Sequence, residues 1–122
     1  MIETIVDPKR VARLYYELVD RGDISGLVGL FAPDAVYNRP GYPSLNGRSE
    51  IEDFYRNSRV IENGRHSLDK VLAEDLSVAT EGKFSGRLKD GRLVTARFAD
   101  FFTLDIDGRF TRRDTYFFSP LV

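Results

Sequence analysis

Asp100 is the residue whose position most needs a chemical explanation. The run from Val94 to Leu104 alternates like a strand, on which successive side chains point to opposite faces, so Val94, Ala96, Phe98, Asp100, Phe102 and Leu104 share one face. Thr95, Arg97 and Thr103 lie on the other. A carboxyl group among hydrophobes is costly unless it is neutral, paired with a donor or cation, or put to use. The bland alternative is a bulge, a cavity rim or a structural hydrogen bond. His66, the only histidine, suits acid-base work near neutral pH, yet its neighbours Arg65 and Ser67 equally suit a surface or edge position. One histidine alone makes no metal site. Arg113 and Asp114 are adjacent on the last strand, so only one of them faces inward. Tyr37, Tyr55 and Tyr116 add hydroxyls at amphipathic positions, where core or rim packing is the ordinary use. Gly86, Gly91 and Gly108 read as turn or bulge residues and form no phosphate loop.

These residues need elements to hold them. Asp7 before Pro8 is an N-cap with proline at the first helical position, and Val11, Leu14, Tyr15 and Leu18 recur at helical spacing until Arg21 and Gly22. Asp23 caps a second, short helix through Ile24, Leu27, Val28 and Phe31, which Pro33 stops. An extended piece over 34–38 precedes a Pro/Gly-rich loop over 39–47, and Ser49 to Glu52 supplies capping chemistry for a third helix with Ile51, Phe54 and Tyr55 on its apolar face. From His66 the pattern changes to strands over 66–72, 76–88, 92–104 and 109–118, joined by short turns. Helices followed by a run of hairpins predict an α+β fold with the helices on one face of an antiparallel sheet.

Composition narrows the function. The 122 residues are read as one domain, 1–122, able to bury about two-thirds of its unfolded surface. Cysteine is absent, which excludes disulfides, thiolate zinc sites and a cysteine nucleophile and fits a cytoplasmic protein. The first residues show no basic leader ahead of an apolar run, and no stretch reaches the ~18 apolar residues of a membrane span, so no membrane partner is expected. Eighteen basic and nineteen acidic side chains nearly cancel, and Arg109, Arg112 and Arg113 are interrupted by acids, so no nucleic-acid partner is expected either.

Tyr15, Leu18, Gly22-Asp23, Leu27, Leu30-Phe31-Ala32, Asp34-Ala35, Pro40-Gly41, Gly47-Arg48, Ile51, Phe54-Tyr55, Asp100-Phe101-Phe102 and Asp107-Gly108-Arg109 follow one another in an order that covers nearly the whole chain. This pattern resembles the SnoaL-like and ketosteroid-isomerase-like branch of the nuclear-transport-factor-two-like superfamily. The resemblance implies a cone, in which a strongly curved antiparallel sheet wraps three N-terminal helices and leaves an apolar pocket open at one end. It also implies roles. Tyr15 falls where ketosteroid isomerases place an oxyanion-binding tyrosine, and Asp100 falls where they place a protonated aspartic acid kept neutral by its apolar site. Arg39 falls at the position of their proton-moving aspartate and cannot act as an ordinary base. Ordinary steroid isomerisation is therefore not expected. Two roles for Asp100 stay open: an acid that binds an oxygen, or a base held ionised by Arg39.

By the same resemblance the candidate catalytic residues are Tyr15, Asp100 and Arg39. The pocket would draw on Phe31, Tyr37, Phe54, Tyr55 and His66, and on Phe98, Phe102, Arg113 and Tyr116 from the later strands. Limonene-epoxide-hydrolase-like enzymes of similar fold bridge two aspartates with an arginine, but Arg97 lies on the face opposite Asp100. The expected function is a cofactor-independent isomerase, cyclase or hydrolase acting on a small hydrophobic carbonyl compound, with no metal. The alternative is a noncatalytic ligand-binding or dimerisation module, for which Asp100→Leu would be neutral or stabilising. A homodimer through the outer face of the sheet is expected, with Leu93, Ala99 and Phe101 at the contact.

Overall fold

The computed structural model describes residues 6–119. Residues 1–5 and 120–122, which carry part of the no-leader reading and the ends of the expected domain, lie outside the described residues.

Helix α1 spans Pro8–Arg21. Asp7 caps it by accepting from the Arg10 N–H at 3.3 Å, and Gly22, at φ 74°, closes it in the left-handed conformation that glycine adopts without a Cβ clash. Its buried stripe is Ala12, Tyr15, Tyr16, Leu18 and Val19, while Leu14 is 38 % exposed. The apolar face is thus rotated from the expected Val11-Leu14-Tyr15-Leu18 line, and the rotation brings Tyr16 inside. Helix α2, Ile24–Val28, ends earlier than its spacing suggests. Phe31 belongs instead to strand β1, Phe31–Asn38, where it stands beside Phe110 in the neighbouring strand.

A two-residue strand β2, Leu45–Asn46, leads into α3, Arg48–Asp53, which continues as a π-helical turn over Phe54–Ser58. Ser49 is not the cap. The helix begins one residue before it, and Glu50 Oε1 instead accepts from the Asn46 N–H at 2.9 Å. Four longer strands follow: β3, Ile61–Glu74; β4, Ser77–Leu88; β5, Leu93–Leu104; and β6, Phe110–Phe117. Strand β3 starts earlier than His66 because it pairs along the whole of β4, from Ile61 opposite Leu88 to Glu74 opposite Ser77.

The fold is α+β with one six-stranded sheet in the order β2-β1-β6-β5-β4-β3. It is mixed, and not antiparallel throughout as expected, because β1 lies parallel to β6. Hairpin logic governs strands consecutive in the chain, and β1 and β6, although neighbours in the sheet, are separated in the chain by β2, α3 and β3 to β5, so nothing forces them antiparallel. Strand β5 buries Ala96, Phe98, Asp100, Phe102 and Leu104 on the inner face, as its alternation predicts. Strand β6 carries an irregularity: Thr103 pairs with Arg112 but Leu104 pairs with Phe110, leaving Thr111 as an extra residue. Such a bulge shifts which side chains face inward. Phe110 is buried before it, and Arg113 and Thr115 are buried after it. Among the described residues no helix is long and apolar enough to cross a membrane.

Helix α1 packs on the inner face against β3 and β4. Tyr15 sits edge-on to Phe31, Phe102 and Phe110, with ring centroids 5.7, 5.8 and 5.7 Å away, an aromatic cluster that anchors the helix over the sheet. Gly82 permits a close approach of β3 and β4, since a Cβ there would lie 2.3 Å from the Ser67 carbonyl oxygen and 3.2 Å from the Phe98 ring. Gly82→Ala is expected to destabilise the protein by about 1–3 kcal/mol, as overpacking against backbone does. Urea unfolding checks this, and unchanged stability counts against the tight crossing.

Candidate functional site

The register of three strands builds the core of the site. Thr80 on β4, Asp100 on β5 and Thr115 on β6 lie directly opposite one another, and all three are buried. Arg113 is opposite Phe102, two residues along β6 and on the same face as Thr115. Asp100 has no solvent exposure, and its carboxylate accepts from four donors. Arg113 binds it through Nε to Oδ1 at 3.1 Å and Nη2 to Oδ2 at 2.9 Å. The Thr115 hydroxyl donates to Oδ1 and the Tyr16 hydroxyl to Oδ2. Tyr16 is in turn 2.6 Å from Thr80 Oγ1.

This arrangement corrects the expected geometry in two ways. An acid that accepts from four donors has no hydrogen to give to a ligand, so Asp100 is not positioned as an oxygen-binding acid. Its cation is Arg113, not Arg39. Tyr16, one residue beyond Tyr15, is the tyrosine that touches it.

Arg113 faces the other way as well. Its Nη1 donates to the Tyr15 hydroxyl at 2.6 Å and to the Tyr55 hydroxyl at 3.3 Å, while the guanidinium lies over the rings of Tyr15 and Tyr37 at 4.7 and 4.5 Å. The Tyr15 and Tyr55 hydroxyls are hydrogen-bonded to each other. Two hydroxyl hydrogens are present and one serves that mutual bond, which leaves the other able to donate to a third group. Burial pushes both phenols up from their ordinary range, with Arg113 opposing, so both are neutral donors near neutral pH. Tyr37 differs. Burial would raise it, but Arg113 and Arg39 together outweigh that and lower it; Arg39 Nη1 donates to its hydroxyl at 3.3 Å. Burial opposes the charge of Arg113, and Asp100 together with Tyr15, Tyr37 and Tyr55 more than restores it.

Tyr15, Tyr55, Arg113 and Thr115 line an interior cavity of about 30 Å³. That is room for a water molecule, well short of the roughly 300–1,000 Å³ of a typical ligand pocket. His66 and Phe98 also line it, and Arg39 and Arg59 take part in its wall. His66 is held by Asp20 from the last turn of α1: Asp20 Oδ2 accepts the His66 backbone N–H at 2.8 Å, and Asp20 Oδ1 lies 2.5 Å from Nδ1. A carboxylate only accepts, so Nδ1 carries a hydrogen, and in the neutral ring the lone pair is on Nε2. The imidazole is clasped between Phe84 and Phe98, at 4.8 and 5.4 Å, with Tyr16 at 5.0 Å.

The remaining expected residues fall elsewhere. Phe31 and Phe102 are core residues around Tyr15, and Phe54 packs against Tyr37 and Tyr42 beneath the Arg39 guanidinium. Tyr37 is fully buried beside Thr115, its hydroxyl 3.5 Å from Oγ1. Tyr116 does not reach the pocket. It is 56 % exposed on the outer face and packs against Phe101, because the bulge at Thr111 gives the inner face to Arg113, Thr115 and Phe117. Asp114, the outward neighbour of Arg113, pairs with Arg112 and Asn38. Gly86 lies within β4 opposite Gly64 and Val94, not in a turn. Sequence reasoning missed Asp20, Tyr16, Thr80, Thr115 and Arg59. The signal available was polar residues in buried registers, Thr80 between Val78 and Gly82 above all. Among the described residues no three His, Cys, Asp or Glu side chains gather as a metal shell.

A mixed six-stranded sheet with helices on its inner face and a polar cluster inside it defines the nuclear-transport-factor-two-like class. A SnoaL-like domain model matches residues 12–113, and the chain belongs to that family. Solved structures agree in fold. A nuclear-transport-factor-two-like protein of unknown function from Burkholderia pseudomallei superposes with a TM-score of 0.82 at 21% identity, covering 92% of each chain. The epoxide hydrolase/cyclase-like enzyme SalBIII, described in pyran ring formation in the polyether salinomycin, gives 0.80 at 19% identity over 90% of this chain and 89% of its own. An LEH-like epoxide hydrolase from M. tuberculosis gives 0.79 at 19% identity over 90% and 81%.

The paired Arg113 reverses the effect expected of removing Asp100. Asp100→Leu strands a buried cation and should cost about 3–5 kcal/mol, whereas Asp100→Leu with Arg113→Met should recover much of that loss. Urea denaturation of the three proteins tests this, and a harmless Asp100→Leu would show that the pair does not hold the site together.

Proposed function

We propose that this protein is a cofactor-independent acid-base enzyme of isomerase or cyclase type, acting on a small apolar carbonyl compound inside the cone that the family resemblance implies. The observation that carries the reading is that His66, held from behind by Asp20, borders the same cavity as Tyr15, Tyr55 and Arg113. His66 Nε2 takes a proton from the carbon beside the carbonyl. The electron pair moves onto oxygen, which the spare Tyr15 or Tyr55 hydroxyl, backed by Arg113, stabilises. His66 then returns the proton at a new position. Asp100 acts as a positioning residue that fixes Arg113, and Arg113 and Arg39 at the cavity wall lower Tyr37 behind them. His66 thus takes the proton-moving role that Arg39 cannot fill. The enzymes named among the structural neighbours act by hydrolase or cyclase chemistry, which also needs one group to protonate oxygen and another to move a proton. Admission of substrate requires side chains at the wall to move, since the cavity holds about 30 Å³.

The noncatalytic reading draws on one observation, the complete satisfaction of Asp100 within the protein. Exchange chemistry separates the two. Incubated in D₂O with 2-tetralone, the protein should catalyse deuterium uptake at the carbon beside the carbonyl, followed by NMR. His66→Gln should slow this about 100- to 10,000-fold at unchanged melting temperature, and Asp20→Asn should slow it less. No uptake above buffer, or equal uptake by His66→Gln, overturns the reading.

The outer face is proposed as a contact between two copies. Phe101 and Tyr116 meet edge to face there at 5.8 Å, Leu93 is 76 % exposed, and Lys83, Arg97 and Glu81 surround them with both signs of charge, a pattern that an isologous interface satisfies by self-pairing. Light scattering should give twice the chain mass, and Phe101→Lys should return a monomer. A monomeric wild type at high concentration removes this contact.

A further inference from the structure

Arg59 stands where the interior cavity meets the outside. It follows the π-helical turn, its backbone N–H donating to the Phe54 carbonyl at 2.8 Å, and its side chain borders both the interior cavity and an outer groove of about 530 Å³. The groove is of ligand size, and the cavity is not. The Arg59 guanidinium lies 5.5 Å over the ring of Tyr55, one of the two phenols at the oxygen-binding point. Its Nε is buried with no hydrogen-bond partner, and no carboxylate among the described residues pairs with it. A buried donor of a charged group left in this way is costly unless something fills it. Lys89 also lines the groove, its backbone N–H donating to the carbonyl of Val60, next to Arg59, at 2.8 Å; it is exposed and likewise lacks an ion pair among the described residues, whereas the one acid there, Asp90, is taken by Arg92 at 2.8 Å. The groove therefore presents two cations whose charges nothing within it answers.

We propose that the substrate is an anion, an apolar carboxylic acid whose carboxylate is held by Arg59 and Lys89 at the mouth while its carbonyl end reaches Tyr15, Tyr55 and Arg113. A planar carboxylate matches the fork of a guanidinium, including the Nε–H that is now unfilled. The same contact draws Arg59 outward from between groove and cavity, which makes room for the rest of the molecule. Binding and opening are then one event, and neutral compounds of the same shape still enter but without the help of that contact, so they bind more weakly. This inference rests on the acid-base reading of the site and adds the class of compound that enters it.

Isothermal titration with 2-naphthoate and its neutral counterpart 2-naphthylmethanol tests it, with inorganic phosphate as a third probe. The acid should bind wild type about ten- to a hundred-fold more tightly than the alcohol, the range a charge-assisted contact supplies. Arg59→Gln should bring that ratio close to one, and Arg59→Lys should retain part of it. Equal affinity for acid and alcohol in wild type, a ratio untouched by Arg59→Gln, or no binding of either probe while His66-dependent exchange of 2-tetralone persists overturns the inference and leaves the acid-base reading standing. Phosphate binding that displaces naphthoate and is lost in Arg59→Gln, at an affinity equal to that of naphthoate, overturns the choice of a carboxylate. Absence of the exchange itself removes the underlying reading, and the inference with it.

Discussion

Asp100 and Arg113 are an ion pair with almost no access to water, their side chains exposed by 0% and 6%. Taking two charges out of water is expensive, and their attraction offsets the cost only with good geometry and with every remaining donor and acceptor occupied. Both conditions are met through neighbours. Thr115 and Tyr16 complete the carboxylate, and Tyr15 and Tyr55 receive the remaining Nη1 of the arginine. The pair therefore dictates the side chains around it on two strands, the first helix and the π-helical turn. A shift of any one of those elements would strand a buried charge.

The same constraint explains the division of labour at the site. A carboxylate saturated by the protein cannot meet a ligand, yet it fixes the plane of Arg113, whose other edge reaches the phenols beside the cavity. The carboxylate charge of the pair thereby stands one layer behind the cavity that Arg113 lines. The phenols, kept neutral by burial, retain one hydrogen free to donate, and Tyr37 is drawn down by the two cations Arg113 and Arg39. Preorganised donors of this kind are the usual means by which a developing negative charge on oxygen is stabilised.

Asp20 and His66 belong to a separate contact, between the end of α1 and β3. Asp20 binds the strand backbone and the imidazole with its two oxygens, so one side chain sets both where the helix docks and which ring nitrogen carries the hydrogen. The aromatic rings on either side of the imidazole leave it little freedom. The proton transfer proposed for His66 would need rigid placement of this sort.

Much of this was legible in the sequence because it depends on local pattern. The alternation of β5 announces an inward carboxylate at residue 100, the caps at Asp7, Gly22 and Asp23 mark the first two helices, and the SnoaL-like order of residues announces the family. Other features were not legible, and for one physical reason: they are decided by register and rotation between elements distant in the chain. A single extra residue at Thr111 sends Tyr116 outward and Arg113 inward, a rotation of α1 substitutes Tyr16 for Tyr15 at Asp100, and the docking of α1 on β3 joins residues 20 and 66. The sequence alone determined that a buried acid would need partners. Only the tertiary structure decided which ones, because strand pairing and helix packing set those distances and no local spacing encodes them.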